Sequence, residues 1–64
     1  MDLIKAHIKS FRNAVIDHQI AVHAALEDPT EESIMEIGKC EETEKERLID
    51  LLSVIETTIA RTRR

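Results

Sequence analysis

The sequence has one glycine, one proline and one cysteine, and Phe11 is its only aromatic residue. The single cysteine, Cys40, excludes an intramolecular disulfide and fits a reducing cytoplasm better than a secreted framework. No apolar run approaches the roughly 20 residues of a membrane span, and the start lacks the basic-then-apolar order of a signal peptide. We therefore expect a cytoplasmic protein that does not insert into membranes.

Aliphatic and charged residues make up most of the chain, as is typical of helices packed through Leu, Ile, Val and Ala. Its 64 residues form one small domain, and a domain of this size is marginally stable unless it is stapled, metal-bound or oligomeric. The formal net charge of −4 does not favour a generic attraction to nucleic acid or anionic membranes.

A sharp break at residues 27–32 divides the helical pattern. Asp28 is a good N-cap, Pro29 suits the first helical position, and Glu31 falls where it could complete a capping box. The sequence therefore predicts an all-α, antiparallel helical hairpin within a single domain, 1–64. Its helices are expected at about residues 2–27 and 29–62.

Apolar residues recur every three or four positions in both segments, which defines a predicted seam. The seam of helix 2 is interrupted by a polar stretch, residues 38–47. A continuous helix is favoured, and the alternative is a three-helix arrangement with a break near Gly38–Thr43. The predicted seam of helix 1 comprises Ile4, Ile8, Phe11, Val15, His18, Val22 and Ala25, and that of helix 2 comprises Ile34, Ile37, Leu48, Leu52, Ile55 and Ile59.

The apolar arcs are wider than one helix–helix contact can cover. A lone hairpin would leave Ile16, Ile20, Leu51 and Val54 in water, and burying each is worth roughly 1.5–3 kcal/mol. We therefore expect a homodimer that forms a four-helix bundle, with these residues as candidate dimer or partner contacts. A heterodimer with an unrelated helical protein would satisfy the same surface.

The residues that could carry chemistry form no recognisable catalytic or metal-binding pattern. His18 occupies a seam position, where we expect a structural polar pair with Glu41 or a near neighbour, and Gly38 is expected to permit close approach of the helices. No zinc-type spacing, nucleophile motif or phosphate loop occurs in the sequence. We predict that the protein is not an enzyme and needs no cofactor, and a metal-binding bundle is a weaker alternative.

Charge is segregated between the ends of the predicted hairpin. Acidic residues gather at the turn, and basic residues gather at the open end, where Arg61, Arg63 and Arg64 form a short basic tail. Macrodipole compensation explains much of this segregation. The tail is expected to be solvated, although it could also bind an acidic protein surface or phosphates.

The length and the one-turn hairpin pattern resemble the plasmid copy-control RNA-binding protein Rop, in architecture only. This resemblance implies, as one alternative, a nucleic-acid-binding dimer. Small bacterial and phage proteins that act as secretion co-chaperones, anti-activators or inhibitors share the shape. The favoured expectation is a non-enzymatic regulator, adaptor or chaperone that binds another protein.

Overall fold

A computed structural model describes residues 2–63, and the side chains of residues 3–63, as two helices. Helix α1 spans Asp2–Glu27 and helix α2 spans Glu31–Thr62. They pack against each other as an antiparallel hairpin 53 Å long, and residues 2–63 contain no strand. The predicted all-α hairpin is confirmed. Because α2 is continuous, the alternative with a break near Gly38–Thr43 is wrong.

The reversal between the helices depends on Thr30 and Ser33. The Asp28 N–H still donates to the Ala24 carbonyl (3.0 Å), so Asp28 follows directly on the last turn of α1 and does not cap α2. Thr30 is extended, and its hydroxyl accepts from the Ser33 N–H (3.0 Å) while the Ser33 hydroxyl accepts from the Thr30 N–H (2.9 Å). This reciprocal pair satisfies two otherwise unpaired donors. The predicted cap at Asp28 and the predicted start at Pro29 are therefore wrong.

The contact between the helices follows a regular heptad, with steps of three and four residues. Every residue in the two rows is buried or half-buried. Among the described side chains, only Ala14, Ala21 and Leu51 are buried. The inward row of α1 is Ile4, His7, Phe11, Ala14, His18, Ala21 and Ala25, and that of α2 is Ile37, Cys40, Glu44, Arg47, Leu51, Val54 and Thr58.

This packing corrects the predicted seam. The helices close on the side of Ala14 and Ala21, because these small side chains let α2 approach closely. The predicted seam residues Ile4, Phe11, His18, Ala25 and Ile37 do lie in the inward rows. The other predicted seam residues are left at the edge, and Ile8 and Leu52 are 46% and 49% exposed. The stripe of large aliphatics is real, but much of it does not face the other helix.

Two further expectations change. Leu51 lies in the core of the hairpin at 8% exposure and Val54 is half-buried, so the expectation that a lone hairpin leaves both in water is wrong. A Cβ added to Gly38 would meet no atom within 4 Å, so Gly38 does not permit a close approach of the helices. Ile16 and Ile20 are exposed, as expected.

Candidate interaction site: an open apolar face

One side of the hairpin is marked by His18, which contacts Glu41 and Glu44 across the helix pair. At 100° per residue, much of the apolar stripe that the inward rows do not bury projects toward this same side from both helices, whereas Leu3, Ile16, Ile20 and Ile49 project elsewhere. We call this surface the open face. Its apolar members are Ile8, Val15, Val22 and Leu26 from α1, with Ile34, Leu48, Leu52, Ile55 and Ile59 from α2, and the inward residues Ile4, Phe11 and Ile37 border it.

The opposite side of the hairpin, the polar side, has a different character. The Arg47 guanidinium donates to the Ser10 carbonyl at 3.1 Å, and the Cys40 sulfur lies 3.9 Å from the Asp17 carbonyl. These contacts close the hairpin with polar groups on this side. An open groove runs along it, lined among others by Ala14, Ala24, Glu36, Lys39 and Thr43.

The open face carries large aliphatic side chains that the hairpin leaves exposed. Six of its side chains are large and exposed, from Leu48 at 38% to Leu26 at 75%. Scattered exposed aliphatics are normal, but aliphatics gathered on one side of two adjacent helices mark an interaction surface. This face is therefore the candidate functional site.

A polar layer interrupts the open face near its middle. His18 Nδ1–H donates to Glu44 Oε2 at 2.8 Å, and Nε2 lies 3.7 Å from Glu41 Oε1. The sequence predicts Glu41 or a near neighbour as the partner, and the hydrogen bond goes to Glu44. Glu44 belongs to the inward row and its side chain is 30% exposed, whereas that of Glu41 is 63% exposed at the rim.

Cys40 is half-buried on the polar side, and its surroundings disfavour the thiolate. Burial raises the pKa of the Cys40 thiol, and the nearby carboxylates of Glu36, Asp17 and Glu44 raise it further. A nucleophilic cysteine needs the opposite environment, in which positive charge lowers the thiol pKa. Cys40 is therefore suited to packing and not to attack on a substrate.

Among residues 3–63, no group of three or more His, Cys, Asp or Glu side chains is placed to hold a metal ion. Neither of the two helices described over residues 2–63 combines the length and apolarity needed to cross a bilayer.

The residues predicted as contacts do not form one site. Ile16 and Ile20 lie on the outer surface of α1, turned away from the open face. Arg61 and Arg63 are exposed at the open end of the hairpin, and Arg64 lies outside the described residues. Sequence reasoning missed Leu48 and Leu52 as site residues, because their regular spacing assigned them to the seam inside the hairpin.

Neither family models nor curated proteins nor solved structures give a match to this chain.

Proposed function

We propose that this protein is a non-enzymatic regulator, adaptor or chaperone that acts by protein–protein contact as a homodimeric four-helix bundle. The observation behind the proposal is the open face, an apolar surface formed jointly by both helices. A second hairpin placed on that face would supply the two missing helices of a bundle.

Energetics support association. The inward rows contain the small Ala14 and Ala21 and the polar Glu44 and Arg47, so the hairpin alone buries little large aliphatic surface. Each large aliphatic side chain that moves from water into a core contributes roughly 1.5–3 kcal/mol. A domain of this size needs more apolar burial than one hairpin offers, and association with a second chain provides that burial.

A dimer built on the open face leaves the outer surface of α1 exposed. Ile16 and Ile20 are 46% and 62% exposed there, one helical turn apart. We assign contact with a different, target protein to this pair. We also propose that it acts in the cytoplasm, because a lone, half-buried thiol fits a reducing compartment.

The deciding experiment compares two double substitutions of equal charge. Leu48→Glu with Leu52→Glu places two carboxylates on the open face, and Ile16→Glu with Ile20→Glu is the matched control on the outer surface. Sedimentation velocity at tens of micromolar should show a dimer for the wild type and the control, and a monomer for the open-face variant. Dimers for both variants would remove the open face as the contact.

The control variant also tests the target-binding assignment. The dimeric Ile16→Glu, Ile20→Glu protein should fail to retain a host protein that the wild type retains in a pull-down. Equal retention by both proteins would show that the target binds elsewhere.

Nucleic-acid binding is the second candidate, because the open end carries exposed Lys5, Lys9, Arg12, Arg61 and Arg63. The acidic net charge and the absence of stacking aromatics make it weaker. Fluorescence anisotropy with labelled RNA at two salt concentrations would reveal it as salt-dependent binding.

A further inference from the structure

The two ends of the hairpin carry opposite charge on exposed side chains. At the turn, the exposed acidic residues are Glu27, Asp28, Glu31, Glu32 and Glu36, and Lys39 is the nearest base. At the open end, the exposed basic residues are Lys5, Lys9, Arg12, Arg61 and Arg63, and the exposed acids Asp50 and Glu56 lie among them, so that bases are in excess there.

We infer that two copies dock antiparallel through the open face, so that the acidic turn of one hairpin lies beside the basic open end of the other. This inference rests on the proposed homodimer and specifies its geometry. A two-fold axis places the same patch of both copies in contact, and only the orientation of the axis decides which ends meet.

Charge complementarity selects the antiparallel orientation. A parallel pair would place acidic turn against acidic turn and basic end against basic end, and such like-charge contacts oppose association. The antiparallel pair replaces both repulsions with attractions. The charged side chains lie around the two ends of the hairpin, and Glu36 among them lies on the polar side, so they set orientation through the field between the ends more than they add affinity.

The polar layer favours the same orientation. His18 lies about four residues from the midpoint of α1, which is roughly 5 Å along the axis at 1.5 Å per residue. A parallel pair would place both layers at one height, with Glu41 and Glu44 of each copy together. An antiparallel pair centred on the midpoints of the two α1 helices separates the two layers by roughly 10 Å, so four carboxylates do not share one layer.

The size of the face is sufficient for a second copy. The hairpin measures 53 by 15 Å in its two longest dimensions, and a face of roughly 800 Å² per partner is the standard size for a stable complex. A second hairpin of the same length covers the whole open face, so both apolar segments, on either side of His18, gain a partner.

Pulsed electron spin resonance on spin-labelled full-length protein distinguishes the orientations. The lone thiol is removed by Cys40→Ser, and one label is attached in Asn13→Cys or Thr57→Cys. Both sites are exposed on the polar side, away from the proposed contact. Asn13 lies near mid-height, so its two labels should be within roughly 30 Å in either orientation. Thr57 lies about 13 residues from mid-height, so its labels should be roughly 40 Å or more apart only in the antiparallel dimer.

A long Thr57 distance with a short Asn13 distance supports the inference. Short distances at both sites overturn the antiparallel orientation and leave the homodimer standing. If the Asn13 labels give no intermolecular distance and sedimentation shows a monomer, the homodimer and this inference are both overturned. It would then assign the open face to a different protein.

Unlabelled protein gives an independent measurement. Lys5→Glu with Lys9→Glu exchanges two exposed bases of the open end for acids, and Glu and Lys have similar helix propensities, so the helix itself is kept. In the antiparallel dimer these acids meet the partner's acidic turn, and sedimentation equilibrium should show a dissociation constant about tenfold higher. A lower dissociation constant indicates that the open ends meet each other, and an unchanged one indicates that the two lysines do not face the partner's acidic turn. Either result overturns the antiparallel orientation.

Discussion

His18 Nδ1 lies 2.8 Å from Glu44 Oε2, in a hydrogen bond that crosses the hairpin within a surface otherwise lined by aliphatic side chains. Such a pair gives little net stability, because removing charge from water offsets much of the attraction. It can instead determine how helices align, since a misaligned partner would leave a polar group unpaired. We therefore expect this pair to restrict the bundle to one arrangement.

Replacing the pair with His18→Leu and Glu44→Leu tests that role. The variant should unfold at higher urea concentration, with a gain of up to about 1–4 kcal/mol, because half-buried polar groups are exchanged for apolar ones. Sedimentation velocity should at the same time resolve more than one assembly. A single, more stable dimer would show that the polar layer has no part in specifying the arrangement.

The start of α2 gives a sharp comparison between two residues. Thr30→Ala removes the side chain that accepts from the Ser33 N–H, and should destabilise the protein by about 0.5–2 kcal/mol. Asp28→Ala should cost only a few tenths of a kcal/mol, through its charge near the helix start. Urea unfolding at one fixed protein concentration measures both, since dimerisation makes stability depend on concentration. A larger loss for Asp28→Ala would contradict the observed cap.

The residue pattern alone predicts the hairpin, both ends of α1 and the end of α2, but not the start of α2. The error at Asp28 has a local cause, because the sequence offers two competing caps. Asp28 is followed by Pro29 and Thr30 is followed three residues later by Ser33. Ser33 at this position completes the box through its hydroxyl, a less common choice than Glu or Gln. The reciprocal hydrogen bonds are visible only in three dimensions.

The open face could be predicted only in part. The spacing of Leu48 and Leu52 identifies an apolar row on α2, and burying such a row is favourable. The spacing does not show whether this row packs against the other helix of the same chain or against a different chain. That choice depends on the size of Ala14 and Ala21, which draw α2 toward their own side of α1.

Gly38→Ala separates local helix propensity from contact across the proposed dimer. An added Cβ would meet no atom within 4 Å in the hairpin. At an exposed position inside a helix, alanine is more stable than glycine by roughly 0.5–1 kcal/mol. Circular dichroism during urea unfolding should therefore show a gain of that size. A loss of stability together with a weaker dimer would reveal that the partner copy approaches closely at Gly38.

The reactivity of the Cys40 thiol should depend on pH. Cys40 lies on the polar side, which the proposed dimer does not cover. Its pKa is raised in the folded chain, first by burial and then by neighbouring carboxylates, so the thiolate is scarce near neutral pH. Alkylation by iodoacetamide should be slower in the folded protein than in urea, and the rate should rise at higher pH than in the unfolded chain.

The raised pKa of Cys40 also determines whether the folded protein becomes more or less stable as the pH rises. Because the folded pKa lies above the unfolded one, the stabilising contribution of the neutral thiol is fully present below the unfolded pKa. It is lost as the pH rises through the folded pKa. Cys40→Ser removes this alkaline loss and serves as the control in urea unfolding from neutral to alkaline pH. A folded chain that is alkylated at neutral pH as fast as the unfolded one would show that Cys40 is not shielded by the contacts described here.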